Sequence, residues 1–177
     1  MNSLFRRGLR LVSQLATDAL KSSRTSASPR RVQPAPRASA TIGEYDTTRG
    51  LPRFEYSPEL DGDADPGEVV WTWVPYEEDA TQGKDRPVLV LARESNQLII
   101  AQLTSKDHDR DADKEARYGR YWMDVGNGVW DRRGRPSEVR LDRLLWVSPD
   151  VIRREGGRLD KPIFDAVTDA LISLHQG

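Results

Sequence analysis

The chain has 177 residues, 37% of them hydrophobic and 31% charged, which suits one domain with a real core plus a sizeable segment outside it. It has no cysteine, which excludes disulfides, thiolate metal sites and a cysteine nucleophile; with only His108 and His175, a paired-histidine ribonuclease would have to draw on the C-terminal edge. The net charge of −1 hides an asymmetry: the first 40 residues set eight basic side chains against Asp18 alone, a balance of +7 that leaves −8 for the remainder, so RNA contact by the main domain has to rest on a local patch.

In chain order, Leu4, Phe5, Leu9, Val12, Leu15, Ala16, Ala19 and Leu20 recur at helical spacing with Arg6, Arg7, Arg10 and Lys21 among them. This predicts a basic amphipathic helix over residues 1–22 that lies weakly on an anionic membrane surface or docks on a partner; the plainer alternative is a helix marginal by itself. The segment lacks the apolar run of a secretory signal or a membrane span, and the expected location is cytoplasmic. Residues 23–65 are rich in Ser, Thr, Arg, Pro, Asp and Gly and predict a flexible linker, with Phe54 and Tyr56 as candidates to pin its end to the domain.

The folded domain is expected over residues 66–177, strands first and helices last. In residues 69–74, Val69, Trp71 and Trp73 alternate with Val70, Thr72 and Val74, a period-two strand. Residues 88–92 and 98–101 are short apolar runs that suit central strands. Residues 121–125 and 129–130 flank Gly126-Asn127-Gly128, a turn signal, and residues 138–141 and 144–147 predict a further strand pair. Ser148-Pro149 predicts a short helix stopped by Gly156-Gly157. Asp160 and Pro162 open a last helix with Ile163, Phe164, Val167, Ala170, Leu171 and Leu174 on one face. A small, strongly curved antiparallel sheet closed by a C-terminal helix satisfies this order.

The succession of Gly67-Glu68-Val69-Val70-Trp71, then Gln82-Gly83, then Arg86-Pro87 before an apolar strand that is followed by Thr104-Ser105, resembles the PemK/MazF family of type II toxin-antitoxin endoribonucleases. The resemblance runs over residues 66–175 and implies an SH3-like barrel, usually a homodimer. It further implies cleavage of single-stranded RNA with no metal or cofactor, leaving a cyclic phosphate and a 5′-hydroxyl. A small antitoxin whose disordered tail occupies the RNA groove is the implied partner, and toxin and antitoxin together are expected to bind DNA in autorepression.

Cleavage of RNA by its own 2′-hydroxyl requires a proton acceptor, a proton donor and positive charge on the phosphorane. The resemblance places catalysis on Arg86, Thr104, Arg140 and Asp142, and substrate binding on Gln82, Gly83, Lys84 and Ser105; independently, the charges of Arg132, Arg133 and Arg135 around Gly134 suit a basic RNA-binding loop near the site. A guanidinium before Pro87 can hold a phosphate bidentately, and a hydroxyl at a strand end can bond a phosphate oxygen or orient the 2′-hydroxyl. Arg140 and Asp142, two apart in a strand, face the same side. Each has a plainer alternative: a surface Arg-Pro, a turn cap at Thr104-Ser105, a surface ion pair at Arg140 and Asp142, and exposed turn charges at Arg132 to Arg135. Arginine holds its proton too tightly to serve as an acid, so electrostatic stabilisation is the expected role of Arg140.

Where PemK-type members carry His-Glu-Gln, this chain reads Ala80-Thr81-Gln82, and their later acidic-Gln pair is Asp142-Arg143 here. The alternating Asp107, Asp109, Asp111 and Asp113 lack the sixth-position glycine and twelfth-position glutamate of a calcium loop. The competing functional class is a non-catalytic SH3-like binding module, recruited to a membrane surface or a partner by the N-terminal helix.

Overall fold

The computed structural model describes residues 33–34, 41–59, 61–108 and 112–176. The predicted N-terminal helix, residues 1–22, lies outside them. Among the described residues eight strands form one antiparallel sheet: β1 (Gln33–Pro34), β2 (Ile42–Glu44), β3 (Glu68–Pro75), β4 (Gln82–Glu94), β5 (Gln97–Thr104), β6 (Trp122–Gly126), β7 (Ser137–Val147) and β8 (Arg154–Arg158). Among the described residues two α-helices accompany them, α1 (Ala112–Arg117) and α2 (Lys161–Gln176). The main path of the sheet is β2-β7-β5-β4-β3-β8, with β1 added to β4 and β6 to β7. The result is a curled half-barrel closed by the C-terminal helix, as the order of sequence signals predicts.

Alternation along the strands gives the sheet two buried faces. Val69, Leu89, Leu91, Ile99, Ala101 and Leu103 join Phe164, Val167 and Leu171 of α2 in one cluster; Val70, Val74, Val88, Val90, Leu98, Ile100 and Leu145 form the other. A strand buried on both sides reads as an unbroken apolar run, which is why 88–92 and 98–101 look as they do. The predicted apolar stripe of α2 is the one that packs, with Phe164, Val167 and Leu171 at 2% exposure or less.

Four expectations are corrected. The predicted linker, residues 23–65, contains part of the domain: β2 pairs with β7 through Ile42↔Val147 to Glu44↔Leu145, and Tyr45, Leu51, Phe54 and Tyr56 pack on the α2-side core. Tyr56 fixes this segment by donating its hydroxyl to the Leu159 carbonyl at 2.7 Å and setting its ring against Phe164 at 5.3 Å. A few aromatic anchors repay ordering entropy that average composition does not reveal. The expected strand at Val129-Trp130 is loop, because Trp130 turns into the core and is 4% exposed. Residues 138–147 belong to one long strand rather than two. The helix expected after Ser148 is a single 3-10 turn (Pro149–Val151) followed by β8, whose Gly156 is required because a Cβ would stand 2.8 Å from the Val69 carbonyl across the β3–β8 ladder.

Candidate functional site

β4 and β5 run as a ladder from Glu94↔Gln97 to Val88↔Gln102 and then part. Pro87, the next residue of β4, has no N–H to offer a neighbouring strand. On the other side, β5 shifts register against β7 between Ala101 and Leu103, the kind of bulge that re-aims a strand end. Beyond this point β4 stays with β3, setting Pro87, Arg86, Asp85 and Lys84 opposite Trp71, Thr72, Trp73 and Val74; β5 follows β7, setting Leu103 and Thr104 opposite Val139 and Glu138. Where the strands diverge lies a cavity of about 350 Å³, lined by Lys84 to Pro87 of β4, by Leu103, Thr104 and Ser105, by Trp71, and by Trp130 to Arg133, Arg135 and Ser137 from the β6–β7 connection.

That connection is held in shape by its own polar groups. Trp130 is buried and donates its indole N–H to Ser137 Oγ at 3.1 Å. Asp131 Oδ1 accepts from the Arg133 N–H at 2.8 Å, Asp131 Oδ2 accepts from Arg135 Nε at 2.8 Å, and Gly134, at φ +62°, completes the turn by donating to the Asp131 carbonyl. The Arg133 N–H bond, then the Arg135 side chain, hold the Asp131 carboxyl below the usual carboxylate range despite its desolvation. The loop thereby presents Arg132, Arg133 and Arg135 to the cavity. With Lys84 and Arg86 the lining holds five cationic residues against two carboxylates, in a region of the chain whose net charge is negative.

Seven of the eleven sequence-derived site residues therefore meet in one place: Arg86, Thr104, Ser105, Lys84, Arg132, Arg133 and Arg135. The other four do not line it. Arg140 and Asp142 do project together from β7, but they are spent on each other: Arg140 Nη2 meets Asp142 Oδ2 at 2.7 Å and Glu77 Oε2 at 2.9 Å, while the Tyr121 N–H donates to Asp142 Oδ1 at 2.8 Å. Burial opposes the Arg140 charge; the bonds and charge of Asp142, then those of Glu77, outweigh it and raise the pKa above the ordinary arginine value. This guanidinium is a worse proton donor than a free one. Gln82 donates to Asp79 Oδ2 at 2.8 Å in a turn that also binds Thr81. Gly83 serves close packing, since a Cβ there would fall 2.4 Å from the Val74 carbonyl.

Both histidines are engaged outside the cavity. His108 Nδ1 lies 2.7 Å from Glu138 Oε2 and its ring stacks on Trp122 at 4.2 Å; His175 Nε2 lies 2.8 Å from the Leu141 carbonyl. Among the described residues no cluster of three His, Asp or Glu side chains is placed to hold a metal ion, and no helix is long and apolar enough to cross a membrane. The sequence reading missed Trp71, Asp85, Trp130, Asp131 and Ser137 as cavity residues. Asp85 adjoins Arg86, and Trp130-Asp131 is an aromatic–acid pair inside a polar stretch, the one signal that the loop folds inward.

Fold and site together define a small β-rich domain with a basic cleft at the splayed end of its sheet. The family model for the PemK-like, MazF-like toxin of type II toxin-antitoxin systems matches residues 65–175, and the chain belongs to that family. No curated protein matches it. Among solved structures, the Mycobacterium tuberculosis toxin MazF-mt6 is similar at 19% identity, covering 62% of this chain and 96% of its own, with a TM-score of 0.42. Two crystal forms of MazE-MazF from Deinococcus radiodurans are similar as well. Form III has 18% identity, 63% and 94% coverage and a TM-score of 0.44; form II has 19%, 64% and 96%, and 0.45.

Proposed function

We propose that this chain is an endoribonuclease that cleaves single-stranded RNA through attack of the 2′-hydroxyl on the adjacent phosphate, leaving a cyclic phosphate and a 5′-hydroxyl. The observation that carries the reading is the cavity in which Arg86 and Thr104 stand between two diverging strands beneath Arg132, Arg133 and Arg135. A phosphate needs cations and hydroxyl donors within one nucleotide-sized space, and a site fixed by strands and a bonded loop supplies them with little reorganisation. The local positive charge also offsets the repulsion that a net-negative domain exerts on RNA. Arg86 is assigned the phosphate, Thr104 and Ser105 the orientation of its oxygens, and the arginine loop the flanking backbone. Arg140 and Asp142 are assigned the support of the β6–β7 edge.

Family membership supports a small antitoxin as partner; by the same reasoning the chain acts in the cytoplasm as a homodimer and binds DNA jointly with the antitoxin. The test is incubation of the purified full chain with mixed-sequence single-stranded RNA in EDTA, with Arg86→Ala alongside. Cuts ending in cyclic phosphate, reduced at least about 100-fold in the variant as loss of one charge-stabilising donor implies, are expected. A folded wild-type chain that binds RNA without cutting it would overturn the enzyme reading in favour of a binding module.

A further inference from the structure

Two carboxylates line the cavity, and their bonding separates them. Asp131 has committed both oxygens to the arginine loop, one to the Arg133 N–H and one to Arg135 Nε, each at 2.8 Å. Its low pKa follows from those donors, and it has little basicity left for a substrate. Asp85 differs. Its Oδ1 is buried and accepts no hydrogen bond among the described residues, and Arg153 Nε stands 3.5 Å away, beyond hydrogen-bonding geometry but near enough to orient the group. An ionised carboxylate offers about four lone-pair sites, so this one enters the cavity with acceptor capacity unspent.

Its place on β4 is equally specific. Asp85 pairs with Trp73 in the β3–β4 ladder, is followed at once by Arg86, and lies on the length of β4 that has left β5. The backbone around it is therefore fixed by β3 while its side chain meets the gap. The Asp85 side chain is 29% exposed, but its closed-off Oδ1 lacks a donor, which is costly, and such sites persist where a ligand supplies the missing donor.

We propose that Asp85 is the proton acceptor for the attacking 2′-hydroxyl, an inference that rests on the ribonuclease reading of the cavity. The 2′-hydroxyl proton passes to the Asp85 carboxylate as the 2′-oxygen forms its bond to phosphorus. The bond from phosphorus to the 5′-oxygen breaks, and that oxygen takes a proton from water. The phosphate charge is met by Arg86, and Arg153 holds the carboxylate in place.

The test compares the full-length wild type, Asp85→Asn and Asp85→Ala in cleavage of single-stranded RNA under single-turnover conditions, with RNA affinity measured separately and formate added as a small external carboxylate. The expected result is a rate lowered about 100-fold or more by either substitution, an RNA affinity no weaker than that of wild type, and partial recovery of Asp85→Ala, but not of Arg86→Ala, by formate. Asp85→Asn, nearly isosteric, keeps the measurement meaningful if the alanine variant folds poorly. Wild-type rates in both folded variants would overturn the role of Asp85 and leave the ribonuclease reading standing. Slowed cleavage that formate leaves unchanged in folded Asp85→Ala would also overturn it. A wild type that cuts no RNA would overturn both readings together.

Discussion

Replacing Asp142 by alanine separates a structural role for the Arg140–Asp142 pair from a catalytic one. Asp142 accepts from Arg140 Nε at 3.0 Å, Arg140 Nη2 at 2.7 Å and the Tyr121 N–H at 2.8 Å, while Arg140 has 6% of its side chain exposed. Removing the carboxylate leaves a buried guanidinium with Glu77 as its remaining carboxylate partner among the described residues, at 2.9 Å, and that partner is itself 44% exposed. Breaking one side of a buried pair costs about 3–5 kcal/mol. Retention of Glu77 and of Trp122, whose ring centre lies 5.8 Å from the Arg140 guanidinium carbon, argues for the low end, about 3 kcal/mol. For a domain of this size that lowers the thermal midpoint by roughly 10 °C. Urea unfolding measures the loss, and single-turnover cleavage well below the midpoint reads the chemistry of the folded fraction. The double variant Asp142→Leu with Arg140→Leu is expected to be more stable than Asp142→Ala, because it removes the stranded charge. An Asp142→Ala chain with an unchanged unfolding midpoint and abolished cleavage would refute this reasoning and return Asp142 to the chemistry.

Deleting residues 1–60 is expected to abolish cooperative thermal unfolding, whereas deleting 1–40 preserves it. The longer deletion strips Tyr45, Leu51, Phe54 and Tyr56 from the core at about 1 kcal/mol or more each for partial burial, a sum comparable with total domain stability; equal midpoints for the two shortened chains would contradict it. The Asp131 carboxyl, held below its ordinary pKa in the folded chain by Arg133 and Arg135, adds stability that is complete above the unfolded value of about 3.9 and is lost as pH falls through the lower folded value. Urea midpoints taken from pH 6 down to 2.5 should therefore decline less steeply for Asp131→Asn than for wild type, and parallel curves would count against the bonding described for this loop.

Much of the fold was legible because it is local. The alternation in residues 69–74, the β-branched runs at 88–92 and 98–101, and the stripe from Ile163 to Leu174 each carry their periodicity within a few residues. So did Arg86-Pro87 and Thr104-Ser105, because a family resemblance is a local pattern too. Misreadings came where distant partners decide. Gly156-Gly157 reads as a helix stop until β3 is brought alongside, and then a side chain at Gly156 would strike the Val69 carbonyl. Tyr56 sits in a composition that predicts a linker, and its anchor, the Leu159 carbonyl, is 103 residues away. Arg140 and Asp142 share a strand face as the spacing requires; Glu77, 63 residues from Arg140, helps lock them into a buried network. The sequence determined which residues alternate, which run apolar and which carry charge, because those properties belong to single positions and near neighbours. Tertiary structure alone decided that β4 and β5 part after Val88↔Gln102, and so which charges face a shared cavity and which of its two carboxylates, Asp85 rather than Asp131, has an oxygen that accepts no hydrogen bond among the described residues. Hydrogen-bond capacity is consumed by partners in space, and no spacing along the chain records who they are.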